Sequence, residues 1–443
     1  MKEITPEFVR AQTEAFLADP QARAMANAVS RAGALPPAID QELQKQLPFV
    51  FGIDVWDEGV TDQGSTGRCW AFASLNVVRQ NMKRTLRIAE KNFELSQNYI
   101  YFFDQLEKSA AFLDRFLQRI DEPLASPATQ NLLRRPIQDN GMWYTFMALA
   151  GKYGVVPKSA MPDTQCSRDS KYVTRLLEQK LKLSAKQLWD LRQQGGDEDA
   201  LLALREQQLG GVFSILTRFL GAPPQTVAFE YRRDDGASVR LPAMTPLAFF
   251  EAYGGMRAED YMLILNCPLE EYPFMQCYTT EKGCESVLDR RLNLDADTIR
   301  QLVIASLRGG DQVIMGCDVS KQSDKPSGYM HRRLLDYETV FGTTLEFPDK
   351  ASWLRFKGQS GSTSGSHIMT FSGVQLDEAG RPLRWKVHNS YGPGMGIRGH
   401  YVMDDSWFDM FVTSVVIARK YAPPEVLAAF DGEVLPMDGS VLF

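Results

Sequence analysis

The stretch Thr61-Asp62-Gln63-Gly64-Ser65-Thr66-Gly67-Arg68-Cys69-Trp70-Ala71-Phe72-Ala73 narrows the possible folds more than any other part of the chain. Gly64 and Gly67 permit a tight backbone path. From Trp70 onward Leu75, Val78, Met82 and Leu86 recur at helical spacing, which predicts a helix beginning at the cysteine. Cys69 then stands at a helix N-terminus, where free N–H groups and the macrodipole favour a thiolate. Gln63, upstream in the same turn, offers a side-chain amide donor. A thiolate, its own N–H and a nearby amide are the parts of a nucleophile with an oxyanion hole. A free cysteine taken alone is more often a small buried hydrophobe, so this assignment depends on its surroundings.

A cysteine nucleophile needs a base within hydrogen-bond reach. The chain has four histidines, at 331, 367, 388 and 400. His367 opens an expected strand over residues 368–376, residues 377–382 form a turn, and residues 383–389 return as a second strand. Folded about residue 378, this hairpin sets His367 opposite Asn389, with Cβ atoms ~5 Å apart. An Asn oxygen there can accept from the imidazole and fix its tautomer. His388 alternates to the other face of the sheet. His331 lies in a basic stretch and His400 in a short strand after glycines, and both read as structural or exposed. Cys69, His367 and Asn389 with Gln63 are the catalytic candidates.

The rest of the composition excludes more than it assigns. A net charge of −6 over 443 residues carries no signal for nucleic acid. The Arg-Arg pairs at 134–135, 232–233, 290–291 and 332–333 read as solvated faces. No run approaches the ~18 apolar residues of a membrane span, and the first residues lack the apolar core of a secretory signal. Six sparse cysteines then read as reduced thiols of a cytoplasmic protein. Cys267, Cys277 and Cys284 cluster loosely, without the spacing or nearby histidine of a zinc site. No metal or organic cofactor is expected.

Along the chain, Thr5-Pro6 and Asp19-Pro20 are helix starts that make residues 1–50 a helical arm. Ser96 is placed to cap a helix carrying Tyr99, Phe102, Phe103 and Leu106 on one face. Gln138-Asp139-Asn140-Gly141-Met142 forms a polar turn whose backbone could bond an extended substrate, or could be a plain helix entry. Residues 165–255 read as helices over 172–182, 185–193 and 198–219, the last interrupted by Gly210-Gly211. Short β signals follow at 227–231 and 237–241. That region carries no evident chemistry. The last third is β-rich, with a buried strand over 311–319 that holds Cys317 in the core.

These motifs resemble the bleomycin hydrolase and aminopeptidase C family of papain-like cysteine peptidases. The likeness is carried by Gln63-Gly64-Ser65-x-Gly67-x-Cys69-Trp70, by Ser366-His367-Ile368-Met369 and by Trp385-x-Val387-x-Asn389-Ser390-Tyr391-Gly392. It extends from Thr5 to about Leu435. Three places depart from the family pattern: Asn140-Gly141-Met142 replaces a glycine pair, Ile368 replaces an Ala, and Tyr391 replaces a Trp that shields the His–Asn hydrogen bond. The resemblance implies an α+β papain-like fold with helical insertions. Its parts are an arm (1–50), a helical half with the Cys (51–255), a β-rich half with His and Asn (256–425), and a tail entering the cleft (426–443). It implies hydrolysis of N-terminal residues from peptide substrates through a thioester, in a homohexamer. It also implies that Asn140 and Gly141 line the cleft and that the carboxylate of Phe443 meets the substrate's α-amine. The shortened tail, ending on a bulky Phe, leaves an endopeptidase as the alternative. An acyltransferase or a nucleic-acid-binding assembly on the same scaffold are further readings.

Overall fold

The computed structural model describes residues 3–55, 59–280, 290–360 and 366–439. Helices begin where the sequence supplies caps. The Thr5 hydroxyl accepts from Phe8 N at 3.2 Å and opens Pro6–Ala18. Asp19 accepts from Gln21 N at 2.8 Å and opens Pro20–Ala32. Neither helix buries a residue, and Phe8, Val9, Phe16 and Leu17 of the first are exposed.

The helical half is built on Cys69–Leu86, whose first turns are buried on every side. Against it pack Gln97–Leu117, capped by the Ser96 hydroxyl, and Trp143–Tyr153, closed by Gly154 at φ 75°. The segments expected at 172–182 and 185–193 form one helix, Lys171–Gln193. Leu177, Leu181, Ser184, Ala185 and Leu188 make a single buried stripe through the expected break, so packing holds the helix together. The next helix, Glu198–Leu220, runs straight through Gly210-Gly211. A Cβ on Gly211 would meet only the movable end of Lys180 and one on Gly210 would meet nothing, so these glycines neither break the helix nor are demanded by its packing.

The β-rich half is one mixed sheet. Its strands are β1 (Ile53–Asp54), β4 (Tyr261–Leu265), β5 (Gln276–Thr279), β6 (Arg291–Asn293), β7 (Val313–Asp318), β8 (Ser323–Asp324), β9 (Tyr329–Met330), β10 (Ser366–Leu376), β11 (Pro382–His388), β12 (His400–Asp404), β13 (Val412–Ala418) and β14 (Val434–Pro436). A separate hairpin pairs β2 (Glu230–Arg232) with β3 (Ser238–Arg240). The sheet order is β14-β5-β6-β4-β13-β7-β10-β11-β12-β9-β8, with β1 added to β10. Long β10 is therefore flanked by β7 and β11 and holds the histidine over the helical half. Behind it Phe371, Trp385 and Phe408 stack as a buried aromatic layer, Trp385 on Phe408 at 5.2 Å. Among the described residues no helix is long and apolar enough to cross a membrane.

Candidate active site

Cys69 is the first residue of its helix and is buried. Its thiol lies against the N–H groups of Ile368, Trp70 and Cys69 itself. Burial pushes it up to about 11, while those three donors pull it down. On the sheet wall, burial lowers His367 to about 4 against the opposing pull of Asn389. Burial thus favours the neutral form of both groups, while the N–H donors at the helix N-terminus favour the thiolate and Asn389 favours the imidazolium.

The tautomer of His367 follows from hydrogen-bond bookkeeping. Asn389 Oδ1 accepts from Ser390 N at 2.7 Å, which fixes that atom as the oxygen. His367 Nε2 stands 2.9 Å from the same oxygen and must donate to it. Nδ1 is left as the basic nitrogen. The register differs from the expected one. Thr370 pairs with His388 and Phe371 with Val387, so Asn389 falls opposite Met369, two residues along from His367. Leu376 pairs with Pro382, so the turn centres on residue 379 rather than 378, and the irregularities at Phe371/Gly373 and Gln375/Leu376 cancel. Because the side-chain period is two, a two-residue slip keeps both groups on one face, and they meet on the diagonal. Directly across from His367 is Cys317 of β7, whose Sγ lies 3.6 Å from His367 O. His388 points to the opposite face, beside His400 at 5.3 Å. Tyr391 stacks on the His367 ring at 4.9 Å and 16°, covering one face of the imidazole.

Gln63 ties the two walls together. Its N–H donates to Ser390 O at 2.9 Å, and its Oε1 accepts from Ser390 Oγ at 2.6 Å. Nε2 spends one proton on Thr66 O at 2.7 Å and keeps the other for the cleft. The turn needs both its glycines. Gly64 has φ 60°, and a Cβ there would sit 2.4 Å from Arg168 O; one on Gly67 would sit 2.5 Å from Asp139 Oδ1. Asp139 accepts from Gly67 N at 2.8 Å and from the Ser170 hydroxyl. Arg68 is wholly buried between the Phe72 and Tyr101 rings, 3.8 Å from Asp163.

Asn140 is exposed, its side chain turned to Gln138 Oε1 at 3.2 Å and its carbonyl held by Lys108. Gly141 presses on the Trp70 ring, where a Cβ would come within 2.6 Å. Phe443 lies outside the described residues. A cleft of about 600 Å³ opens from Gln63 and Tyr391. Its far wall is Ser170, Lys171, Thr174 and Arg175, so the inserted helix, expected to carry no chemistry, borders the site. Sequence reasoning also missed Ser390 and Arg68 as parts of the site. Both adjoin motif residues, but their partners are distant in sequence. Among the described residues no group of three His, Cys, Asp or Glu could hold a metal.

A helix carrying the thiol, set against a sheet carrying the imidazole and its amide partner, is the papain-like arrangement, and the class it defines is the cysteine peptidase. The profile of the Peptidase C1-like family matches residues 3–439, and the chain belongs to that family. Aminopeptidase C of Streptococcus thermophilus is 34% identical over 430 residues, covering 95% of each chain. Human bleomycin hydrolase is 31% identical over 446 residues, covering 98% of this chain and 97% of its own. The crystal structure of PepW from Lactobacillus rhamnosis HN001 superposes with a TM-score of 0.89 at 35% identity, over 98% of this chain and 97% of that one.

Proposed function

We infer that this protein is a cysteine aminopeptidase that removes N-terminal residues from peptides. The observation that carries the reading is the seating of the Cys69 thiol against the N–H of Ile368, the residue after His367, with His367 held on Asn389 and Gln63 clamped to Ser390. Relatives of nearly full length bearing the name aminopeptidase C support the exopeptidase choice. In this mechanism the Cys69 sulfur attacks the scissile carbonyl and forms a thioester. Gln63 Nε2 and the Cys69 N–H donate to the oxyanion. His367 Nδ1 takes the thiol proton as the sulfur attacks and gives it to the leaving amine; it then takes one from the water that cleaves the thioester and returns it to the departing sulfur. Asn389 keeps the ring oriented through both steps, and Gly141 bonds the chain lying in the cleft.

The division at residues 50, 255 and 425 belongs to this reading, as do a homohexamer, a cytoplasmic location and a tail over residues 426–443 that blocks one end of the groove. The test is hydrolysis of one short peptide with a free and with an acetylated N-terminus, with Cys69→Ala as control. The expected result is turnover of the free form alone, relaxed by removing Val441–Phe443, and none by Cys69→Ala. Equal cleavage of the acetylated peptide by the intact chain would replace the aminopeptidase with an endopeptidase. No turnover of either, with Cys69 still alkylatable, would shift the reading to acyl transfer or binding.

A further inference from the structure

The turn at residues 138–141 is tied to the helices behind it by every carbonyl before Gly141. Gln138 O accepts from Lys108 Nζ at 3.1 Å and from Gln105 Nε2 at 3.1 Å. Asp139 O accepts from Trp70 Nε1 at 3.4 Å. Asn140 O accepts from Lys108 Nζ. Gly141 is different: neither its N–H nor its carbonyl has a hydrogen-bond partner among the described residues. A half-buried but unspent peptide unit, packed on the residue after the nucleophile, is what an extended chain pairs with.

Lys108 is the common tether. An ammonium has three protons, and here each has an acceptor: Gln138 O, Asn140 O and Asp104 Oδ2 at 2.8 Å. The same ammonium stands 5.9 Å over the Trp70 ring, on which Gly141 packs, and Trp70 follows Cys69 directly. Asp104 is almost entirely buried and also accepts from Gln105 at 2.9 Å. The geometry points to Lys108, seated by Asp104, as a positioning residue that presents the Gly141 peptide unit to the chain in the cleft. It touches no reacting atom. Its action is on alignment, where a displacement of 1 Å costs about 10²-fold.

Asp104 makes this tether sensitive to acid. Burial raises its carboxyl to about 6, against the pull of Lys108. The groups facing it are Lys108 and Gln105 on its own helix, Asp139 on the turn, and Tyr101. Above about pH 6 the carboxylate holds the ammonium; below it the neutral acid releases part of that hold.

The inference rests on the peptidase reading only in taking Cys69 as the reactive thiol, so the experiment needs no turnover. Cys69 is alkylated in parallel by iodoacetamide, which needs no alignment, and by a dipeptidyl chloromethyl ketone, which must lie along the cleft. The expected result for Lys108→Met is peptidyl labelling slowed by about 10²-fold, with iodoacetamide labelling unchanged. In the wild type the ratio of the two rates should fall as pH drops through about 6, and Asp104→Asn should hold it low and flat. Asp104→Asn also serves as the second variant should Lys108→Met not fold. Both labels slowed equally would mean that Lys108 shapes the nucleophile, and both unchanged would mean that the turn stands without it. Either result overturns the proposal. Failure of the peptidase reading would appear separately, as absent turnover with the peptidyl label still discriminating.

Discussion

The two walls of the cleft are held by different forces. On the helical wall, reactive groups are placed by side chains that spend hydrogen bonds on irregular backbone: Gln63 on Thr66, Asp139 on Gly67, Lys108 on Asn140. On the sheet wall, His367 is placed by β10, laddered on both sides and backed by Phe371, Trp385 and Phe408. A loop fastened by side chains fails locally when one is removed. A strand fastened by backbone and apolar area loses stability first and geometry only afterwards.

The largest effect should come from the sheet wall and fall on stability. Phe371 is fully buried in the aromatic layer. Phe371→Ala should cost about 3–5 kcal/mol in urea unfolding, with folded protein retaining its rate of Cys69 alkylation. A small stability loss with a large loss of reactivity would erase the distinction between the walls. Next is Gln63→Ala on the helical wall, expected to lower kcat by about 10²–10³-fold with little change in the unfolding midpoint. A midpoint that collapses instead would make the Gln63–Ser390 clamp structural first and chemical second.

The smallest effect concerns Lys350, buried under the sheet with its ammonium on Asn266 and the Val412 carbonyl. Burial lowers it to about 7 from an ordinary 10.5. Between those values the unfolded chain binds a proton that the native chain lacks, so stability rises with pH through this window. From pH 7 to 8.5, before the buried thiols and tyrosines oppose it, the wild-type unfolding free energy should climb by up to about 1.4 kcal/mol per pH unit. Lys350→Met should flatten that slope. An unchanged slope would mean that Lys350 keeps its proton in the folded sheet.

Much of the helical wall was legible because its causes are local. Thr5, Asp19 and Ser96 cap the helices that follow them. The Gln63–Cys69 turn announces itself by its two glycines and the helical period after it. Where tertiary packing competes, local signals lost: Gly210-Gly211 looked like a break and lies inside one continuous helix that buries Gln208, Val212 and Leu216 on either side of it. The register of the β10–β11 hairpin was two residues off, because the turn centres one residue later than expected, between Leu376 and Pro382, and an alternating pattern does not mark the centre of a turn. The pairing of His367 with Asn389 survived the error only because the slip was even.

By itself, then, the sequence determined which residue types could do the chemistry and which side of its own element each would occupy, since helical and strand periods are properties of the local chain. Distances between elements have no such local cause. The single oxygen that orders His367, the ammonium that holds the 138–141 turn and the inserted helix that walls the cleft were decided only when separate elements packed. Each depends on groups tens to hundreds of residues apart, brought together by the burial of the surfaces between them.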